Sequence, residues 1–114
     1  MTQKNIFAQI IDGSLPAEKH YEDEYCIVIA DKFPQAPIHM LVIPKKPLPK
    51  LTDATKEDQI LLGHLMLIAK KTAQELGIDD AFRLVINNGA NAGQTIFHLH
   101  VHILGGQSLT ETQL

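Results

Sequence analysis

Apolar residues recur with helical spacing in two segments of the chain. In residues 5–12 they stand at i, i+1, i+4 and i+5, and Gly13 follows where a helix C-cap would lie. After Thr55 they recur every three or four residues until Gly77, and Thr55-x-x-Asp58 resembles a capping box with Asp in place of Glu. The pattern therefore predicts a short N-terminal helix and one long amphipathic helix.

Four other segments have the β-branched and apolar composition of strands. The first follows turn residues at 22–24, so it predicts a hairpin with the extended chain before it. The second ends at Pro44, which cannot supply a donor to a central ladder. Because the strands come in succession without regular βα alternation, the pattern favours an α+β fold with an antiparallel sheet. The predicted strands are residues 25–30, 38–43, 82–87 and 96–104.

Length and composition are those of an ordinary globular protein. The 114 residues predict one domain spanning residues 1–114, since domains commonly contain about 100–200 residues. With 45% hydrophobic and 20% charged residues, the chain can bury a core without disulfides or bound metals. The formal net charge of -3 argues against a nucleic-acid binder that works by neutralising phosphates.

Cysteine usage and hydropathy indicate the compartment. Cys26 is the one cysteine of the sequence, so neither an internal disulfide nor a C-x-x-C motif is available, and a reducing, cytoplasmic location is predicted. A buried apolar role is expected for its thiol. No apolar run approaches the roughly 18–20 residues of a membrane span. The N-terminus also lacks the apolar segment of a signal peptide.

Histidine is the residue type that is out of proportion. Six histidines occur, and three of them alternate at positions 98, 100 and 102. Side chains alternate faces along a strand, so these three imidazoles are predicted to share one face of the last strand. The opposite face would meet the long helix, and it would carry Phe97, Leu99, Val101 and Ile103.

Three interpretations of the alternating histidines are open on the residues alone. Neighbouring members could ligate a metal together with His39, but the outer pair would lie roughly 13 Å apart and the segment has no carboxylate or thiolate. Alternatively, neutral imidazole is a nucleophile toward phosphorus, and the central His100 has a histidine on each side to oppose its protonation. The histidines could also simply form the polar face of an edge strand.

The loop before the histidines favours the second interpretation. Residues 87–95 are rich in Asn, Gly and Ala, and such a loop can aim backbone N–H groups and the Thr95 hydroxyl at an anion. A phosphate group beside a nucleophilic imidazole is the chemistry that this combination predicts.

Two blocks of the sequence resemble one known family. Residues 94–106, QTIFHLHVHILGG, match the histidine-triad (HIT) signature H-φ-H-φ-H-φ-φ, with the Gly-Gly that is typical of the Hint branch of histidine-triad nucleotide-binding proteins. Residues 31–45, DKFPQAPIHMLVIPK, form the second block. The N-terminal segments IFAQII and LPA are similar to the same branch, so the resemblance extends over nearly the whole chain.

The resemblance implies a fold and an activity. The fold is a HIT-like antiparallel sheet of about five strands with one long and one short helix, and the sheet extends across a homodimer. The activity is hydrolysis of the P–N bond of purine nucleoside phosphoramidates, such as AMP linked to an amine or to lysine, and also of acyl adenylates. The reaction would pass through a covalent nucleotidyl-histidine and release AMP or GMP. The resemblance implies no metal or other cofactor. The net charge and the hydropathy predict no nucleic-acid or membrane partner.

Residue roles carry over by position in the motifs. The resemblance makes His100 the nucleophile and His102 a contact of the α-phosphate, with His98 and His39 in a hydrogen-bonded network behind the nucleophile. Thr95 stands where the family usually has Ser, and its hydroxyl could bond the phosphate or the leaving group. The other implied contacts are Asn87 and Gly93 beside the phosphate, Asp31 on the ribose hydroxyls, and Phe7, Ile10, Leu15, Ile29 and Leu41 around the base.

The chain departs from the family pattern in two places. Lys32 stands where an apolar residue is common, and residues 107–114 lack the aromatic and proline residues of some relatives. The Lys32 departure bears on the ribose edge of the site. In the family the tail can reach the partner subunit's site, so the second departure bears on the preference for a leaving group. A hydrolase of dinucleoside polyphosphates and a nucleotide-binding adaptor with incidental hydrolysis are the alternative functions. His20 and His64 are expected to be surface or packing residues.

Overall fold

A five-stranded antiparallel sheet is the framework of the structure, a computed structural model that describes residues 4–110. Within those residues two α-helices accompany the sheet. In chain order the elements are α1 (Ile6–Asp12), β1 (Tyr21–Glu22), β2 (Cys26–Ala30), β3 (Ile38–Pro44), α2 (Gln59–Glu75), β4 (Phe82–Val85) and β5 (Val101–Gly105). The strands lie in the order β1-β2-β3-β5-β4, and each neighbouring pair is antiparallel. The predicted α+β architecture is confirmed.

The ends of the helices follow from residues visible in the sequence. At the start of α1 the Asn5 side chain accepts a hydrogen bond from the Ala8 N–H at 2.8 Å. The helix ends at Gly13, whose φ of 85° is in the left-handed region that glycine adopts without strain. Thr55 and Asp58 form the predicted capping box, but a 3₁₀ turn over Lys56–Asp58 comes first, so α2 begins only at Gln59. Neither helix within residues 4–110 has both the length and the hydropathy needed to cross a bilayer.

Each face of the sheet packs against its own helix. On one face, buried residues of α2 such as Leu65 and Ala69 contact Val28, Val101 and Ile103 of the sheet. On the other face, Phe7 and Ile10 of α1 pack with a separate set of strand residues. That second cluster includes Ile27, Ile29, Leu41 and Ile43. Because the two clusters lie on opposite faces, the alternation along β2, β3 and β5 determines which side chains reach α1.

The last strand is shorter than predicted. Residues 96–104 were expected to be one strand, but β5 is Val101–Gly105, and its pairing with β3 stops at Val101 opposite Val42. Further along β3 stands Pro44, which has no N–H to continue the ladder. The Leu99 N–H bonds instead to the Leu48 carbonyl at 2.7 Å. His98 and His100 therefore lie on the irregular segment that leads into β5.

The predicted alternation holds for most of this segment nevertheless. Leu99, Val101 and Ile103 are buried in the cluster with α2, as expected. Phe97 was expected beside them, but its side chain is 46% exposed because the chain bends at residues 96–98. The strand predicted over residues 82–87 also ends early, at Val85.

Candidate active site

Four histidines converge on the α1 face of the sheet. In the β3–β5 register Leu41 lies opposite His102, and His39 lies opposite Leu104, so His39 and His102 are diagonal neighbours. Their ring centroids are 5.1 Å apart, and the His100 and His102 rings are 5.0 Å apart. The edge-on ring of Phe7 lies 5.0 Å from the His100 ring. The site therefore forms where β3, β5 and α1 meet.

The proton of His100 is assigned by the backbone of His98. Its Nδ1 lies 2.7 Å from the carbonyl oxygen of His98. A carbonyl oxygen only accepts hydrogen bonds, so Nδ1 carries the hydrogen and donates it. In the neutral ring Nε2 is then unprotonated and has a free lone pair, which is the form that a nucleophilic imidazole requires.

His98 is a buried positioning residue. Its Nε2 donates to the Pro44 carbonyl at 2.8 Å, and its Nδ1 lies 3.4 Å from the side-chain amide nitrogen of Asn5, which donates. The side chain is fully enclosed, and this burial lowers the pKa of His98 below the usual range. His98 therefore stays neutral and joins α1, the end of β3 and the segment that carries His100.

A second chain of hydrogen bonds determines the tautomer of His102. The Gln35 backbone N–H donates to Nδ1 of His39 at 3.0 Å, so His39 in its neutral form carries its hydrogen on Nε2. That Nε2–H donates to Nδ1 of His102 at 2.9 Å. Nδ1 of His102 is thus an acceptor, and its Nε2–H is left available to a ligand oxygen.

The expected single network behind the nucleophile is in fact two separate networks. His39 contacts His102 rather than His98, and His98 acts on His100 through its backbone carbonyl. The sequence interpretation was wrong on this point because spacing along one strand does not reveal which side chain a neighbouring strand brings closest.

Burial and like charges keep His102 neutral. Burial is the largest cause, and the nearby His100 and His39 add to it, so the pKa of His102 falls from 6.5 to about 4, although Asp31 acts in the opposite direction. Asp31 follows β2 directly, and its Oδ2 is 3.4 Å from His39 Nε2 and 4.0 Å from His102 Nδ1. Its Oδ1 accepts from the Phe33 N–H at 2.8 Å.

An apolar cleft of about 330 Å³ is lined by Phe7, which contacts the His100 ring, and by Asp31, which faces His39. Of the five residues predicted to surround a base, Phe7, Ile10, Ile29 and Leu41 line it. Leu15 packs against the same apolar cluster without lining the cleft. Asp31 also lines the cleft, so the position predicted for ribose contact connects the cleft to His39. The other lining residues are Ile6, Pro16, Ala17, Glu18, Ala30, Lys32, Phe33 and Ile96.

The loop before the histidines is held by a residue that the sequence did not single out. Gln94 is buried; its Oε1 accepts from the Gly89 N–H at 2.8 Å and its Nε2 donates to the Pro49 carbonyl at 2.7 Å. Gly93 has a φ of 97°, as a left-handed turn requires. Thr95 is exposed and Asn87 is half-buried, and within residues 4–110 neither is hydrogen-bonded to the four histidines.

Three groups that orient the histidines were missed at the level of sequence. They are the Asn5 side chain, the Gln35 N–H and the Pro44 carbonyl. Asn5 carries a recognisable N-cap signal, but its contact with His98 depends on tertiary structure. The two backbone groups have no sequence signature, since every non-proline residue carries an N–H and every residue a carbonyl.

The comparisons with known proteins identify the family. Residues 12–109 match the HIT domain family, and the chain belongs to it. An uncharacterized HIT-like protein of Synechocystis is 60% identical over 107 residues, which cover 94% of each chain. A HIT family hydrolase of Legionella pneumophila is 38% identical, with a TM-score of 0.92 and coverage of 95% of this chain and 97% of that chain. A HIT family hydrolase of Clostridium thermocellum is 37% identical, with a TM-score of 0.93 and full coverage of both chains.

Proposed function

We propose that the protein hydrolyses the P–N bond of purine nucleoside phosphoramidates, with His100 as the nucleophile. The observation that carries the proposal is the 2.7 Å hydrogen bond from His100 Nδ1 to the His98 carbonyl, which leaves Nε2 unprotonated. The ring of Phe7, which lines the apolar cleft, contacts the same imidazole. Membership of the HIT domain family and the hydrolase relatives support the reaction class.

The first step would transfer the nucleotide to His100. Nε2 attacks the α-phosphorus and forms a P–N bond, while the bond to the leaving amine breaks and the amine takes up a proton from solvent or through the Thr95 hydroxyl. The His100 ring becomes positively charged when the P–N bond forms, and its Nδ1–H then bonds the His98 carbonyl more strongly. The His102 Nε2–H donates to a non-bridging phosphate oxygen. Asn87 and the Gly93 backbone would lie on the phosphate side.

In the second step water attacks the same phosphorus and the P–Nε2 bond breaks. The products are AMP or GMP and the free His100, and the proton of the water leaves with solvent. Splitting the displacement into two steps is the general advantage of a covalent intermediate. No metal enters either step.

The cleft supports a nucleoside as part of the proposed substrate. Its volume of about 330 Å³ lies at the lower end of the roughly 300–1,000 Å³ of small-molecule pockets. Phe7, Ile10, Ile29 and Leu41 would enclose the flat purine face, with Leu15 supporting them from behind. Asp31 would accept hydrogen bonds from the ribose hydroxyls at the mouth of the cleft.

We also propose that two copies form a homodimer. Strand β4 pairs only with β5 within residues 4–110, so its other edge can extend the sheet into a second copy. On α2, Ile60 and Leu67 are 83% and 60% exposed. They lie two turns apart on the same side of the helix, and exposed apolar side chains that share one side are typical of a protein–protein contact. Sedimentation velocity should give a dimer for the native chain and a monomer for Ile60→Glu/Leu67→Glu; a monomeric native chain would contradict this proposal.

A cytoplasmic location suits the reduced Cys26 thiol.

The reaction is tested by trapping the intermediate. Rapid quench with adenosine 5′-phosphoramidate, followed by peptide mass spectrometry, should place one AMP on His100. His100→Ala should abolish both adduct and turnover, whereas His20→Ala, which removes a histidine outside the site, should preserve both. An adduct on another residue, or turnover that survives His100→Ala, would overturn the mechanism.

Substrate comparison separates the proposal from its two alternatives. The kcat/KM for the phosphoramidate should exceed that for a diadenosine polyphosphate, and the reverse order would favour the polyphosphate hydrolase. A cellular phenotype that persists in His100→Ala while purified activity is lost would favour the adaptor.

A further inference from the structure

A second cluster of metal-ligating side chains lies on the opposite face of the sheet from the four histidines. It consists of Asp23 in the β1–β2 turn, Cys26 at the start of β2 and His64 on α2. The ligand atoms of these three side chains all lie within 4.8 Å of one another. Cys26 belongs to the apolar cluster under α2, whereas the catalytic histidines face α1. The cluster therefore has no part in the proposed hydrolysis.

The carboxylate of Asp23 is held in one orientation by its surroundings. Its Oδ1 accepts from the backbone N–H groups of Tyr25 and Cys26 at 2.8 and 2.9 Å. Its Oδ2 accepts from the Tyr21 hydroxyl at 2.9 Å and from His64 Nε2 at 2.7 Å. Burial alone would raise the pKa of Asp23, but these hydrogen bonds outweigh it and hold the pKa below its usual range. The ligand oxygen is thus ionised and oriented by neighbours, as metal-binding carboxylates are.

The thiol of Cys26 completes the set from the buried side. Burial, and then the Asp23 carboxylate, raise the pKa of the Cys26 thiol to about 12, so without a cation it stays protonated. The side chains of Asp23 and His64 are 21% and 27% exposed, so an ion would meet these two ligands from solvent. Cys26 is buried, but its Sγ lies within 4.8 Å of both of their ligand atoms. A divalent cation placed between thiol and carboxylate would reverse the electrostatic penalty on the thiolate.

We propose that Asp23, Cys26 and His64 bind one Zn²⁺ ion, through a carboxylate oxygen, Sγ and Nε2, with water as the fourth ligand. Thiolate and imidazole are ligands that favour Zn²⁺, and the ion accepts a carboxylate beside them. On binding, Cys26 releases one proton to solvent, and the His64 hydrogen moves from Nε2 to Nδ1 so that the Nε2 lone pair can coordinate. The ion connects the β1–β2 turn to α2 and acts as a structural clamp.

A second trio, Asp31, His39 and His102, also has a spacing that could hold a metal ion. The test must therefore distinguish binding at the two positions. The second trio contains no thiol, and a metal there would compete with the hydrogen bond between His39 and His102. Binding that involves a thiolate therefore distinguishes the two positions. Substitutions can be placed in each trio separately, because the sheet lies between them.

The experiment uses chelator-treated native protein titrated with Co²⁺ and, by calorimetry, with Zn²⁺ alone. One equivalent should bind, Co²⁺ should give a near-ultraviolet thiolate charge-transfer band, and one proton per ion should be released. Cys26→Ser and His64→Gln should each weaken Zn²⁺ binding at least tenfold, while His102→Gln should bind as the native chain does. Zn²⁺ should also raise the Tm of the native protein and of His102→Gln but not of the two cluster variants.

Two results would overturn the proposal. One is the absence of stoichiometric binding or of the thiolate band in the native protein. The other is a loss of Zn²⁺ affinity in His102→Gln with none in His64→Gln, which would place the ion among the catalytic histidines. His64→Gln changes a partly exposed side chain, so it provides the comparison if Cys26→Ser fails to fold. Hydrolysis measured on His64→Gln should be unchanged in the absence of metal.

Discussion

The Nε2 of His39 donates a hydrogen bond to Nδ1 of His102 across 2.9 Å, and this contact selects the tautomer of His102. The selection begins at the Gln35 backbone N–H, which has no alternative but to donate and which points at His39 Nδ1. A rigid backbone donor thus determines, through two rings, that the far nitrogen of His102 carries a hydrogen. In the proposed reaction that hydrogen bonds the phosphate.

Removing the hydrogen-bond donor of His39 should therefore lower kcat while substrate binding is largely retained. His39→Leu fills the buried position on β3 with an apolar side chain but leaves His102 Nδ1 without its donor. Loss of one buried hydrogen bond of this type costs about 1–3 kcal/mol, which is roughly a 5- to 150-fold drop in kcat if it acts in the transition state. Steady-state kinetics should show this drop with little change in KM, and ¹⁵N NMR should show mixed tautomers of His102.

The matched variant is His39→Gln. Its amide oxygen can accept from Gln35 and its amide nitrogen can donate to His102, so it should recover part of the lost kcat and the Nε2–H tautomer. If the leucine and glutamine variants behave alike in both measurements, the hydrogen-bond chain does not determine the state of His102.

The lowered pKa of His102 makes folding stability depend on acidity. In the unfolded chain its pKa is near 6.5 and in the folded chain about 4, so between these values the unfolded state binds more protons and stability falls as the pH falls. The side chain is only 17% exposed, and the shift corresponds to at most roughly 3 kcal/mol. Urea denaturation from pH 7 to pH 4 should show the native protein losing more stability than His102→Gln. His98 titrates in both proteins and cancels from the difference. Parallel curves for the two proteins would contradict the prediction.

The face of the sheet that carries the histidines could be predicted from the sequence because alternation has a strict period of two. That rule assigned Leu99, Val101 and Ile103 to the α2 side correctly. The extent of the strand could not be predicted in the same way. It depends on Pro44 opposite the segment and on a hydrogen bond from Leu99 to the Leu48 carbonyl, which involve residues about fifty positions away.

The lining of the cleft could also be predicted from the sequence, whereas the hydrogen-bond partners of the histidines could not. The resemblance placed Phe7, Ile10, Ile29 and Leu41 around a pocket, and the structure brings these four to one cleft. No pattern in the sequence could pair His39 with His102, because that contact depends on the β3–β5 register. His64 was expected to be a surface or packing residue, and its contact with Asp23 likewise depends on how α2 lies over the β1–β2 turn.

Asp31 should affect both the nucleoside and the histidines. Asp31→Asn keeps an oxygen that can accept from the Phe33 N–H but removes the charge that faces His39. Asp31→Ala removes both. If Asp31 binds ribose, kcat/KM for the ribonucleotide should fall by about tenfold or more in Asp31→Ala, while a 2′,3′-dideoxy substrate should lose little. Equal losses on both substrates would mean that Asp31 acts only through His39.

Asn5 caps α1 and donates to His98, so its two roles can be separated by substitution. Asn5→Ala removes both and should destabilise the fold by about 1 kcal/mol, as loss of an N-cap does. Asn5→Ser keeps a capping oxygen but is too short to reach the His98 ring 3.4 Å from the native amide. The serine variant should therefore recover most of the stability in urea denaturation. Both variants should have a lower kcat than the native protein, because each loses the contact that positions His98, whose carbonyl orients His100. A serine variant with native kcat would show that Asn5 contributes to the helix alone, since capping would then be all that the native side chain supplies.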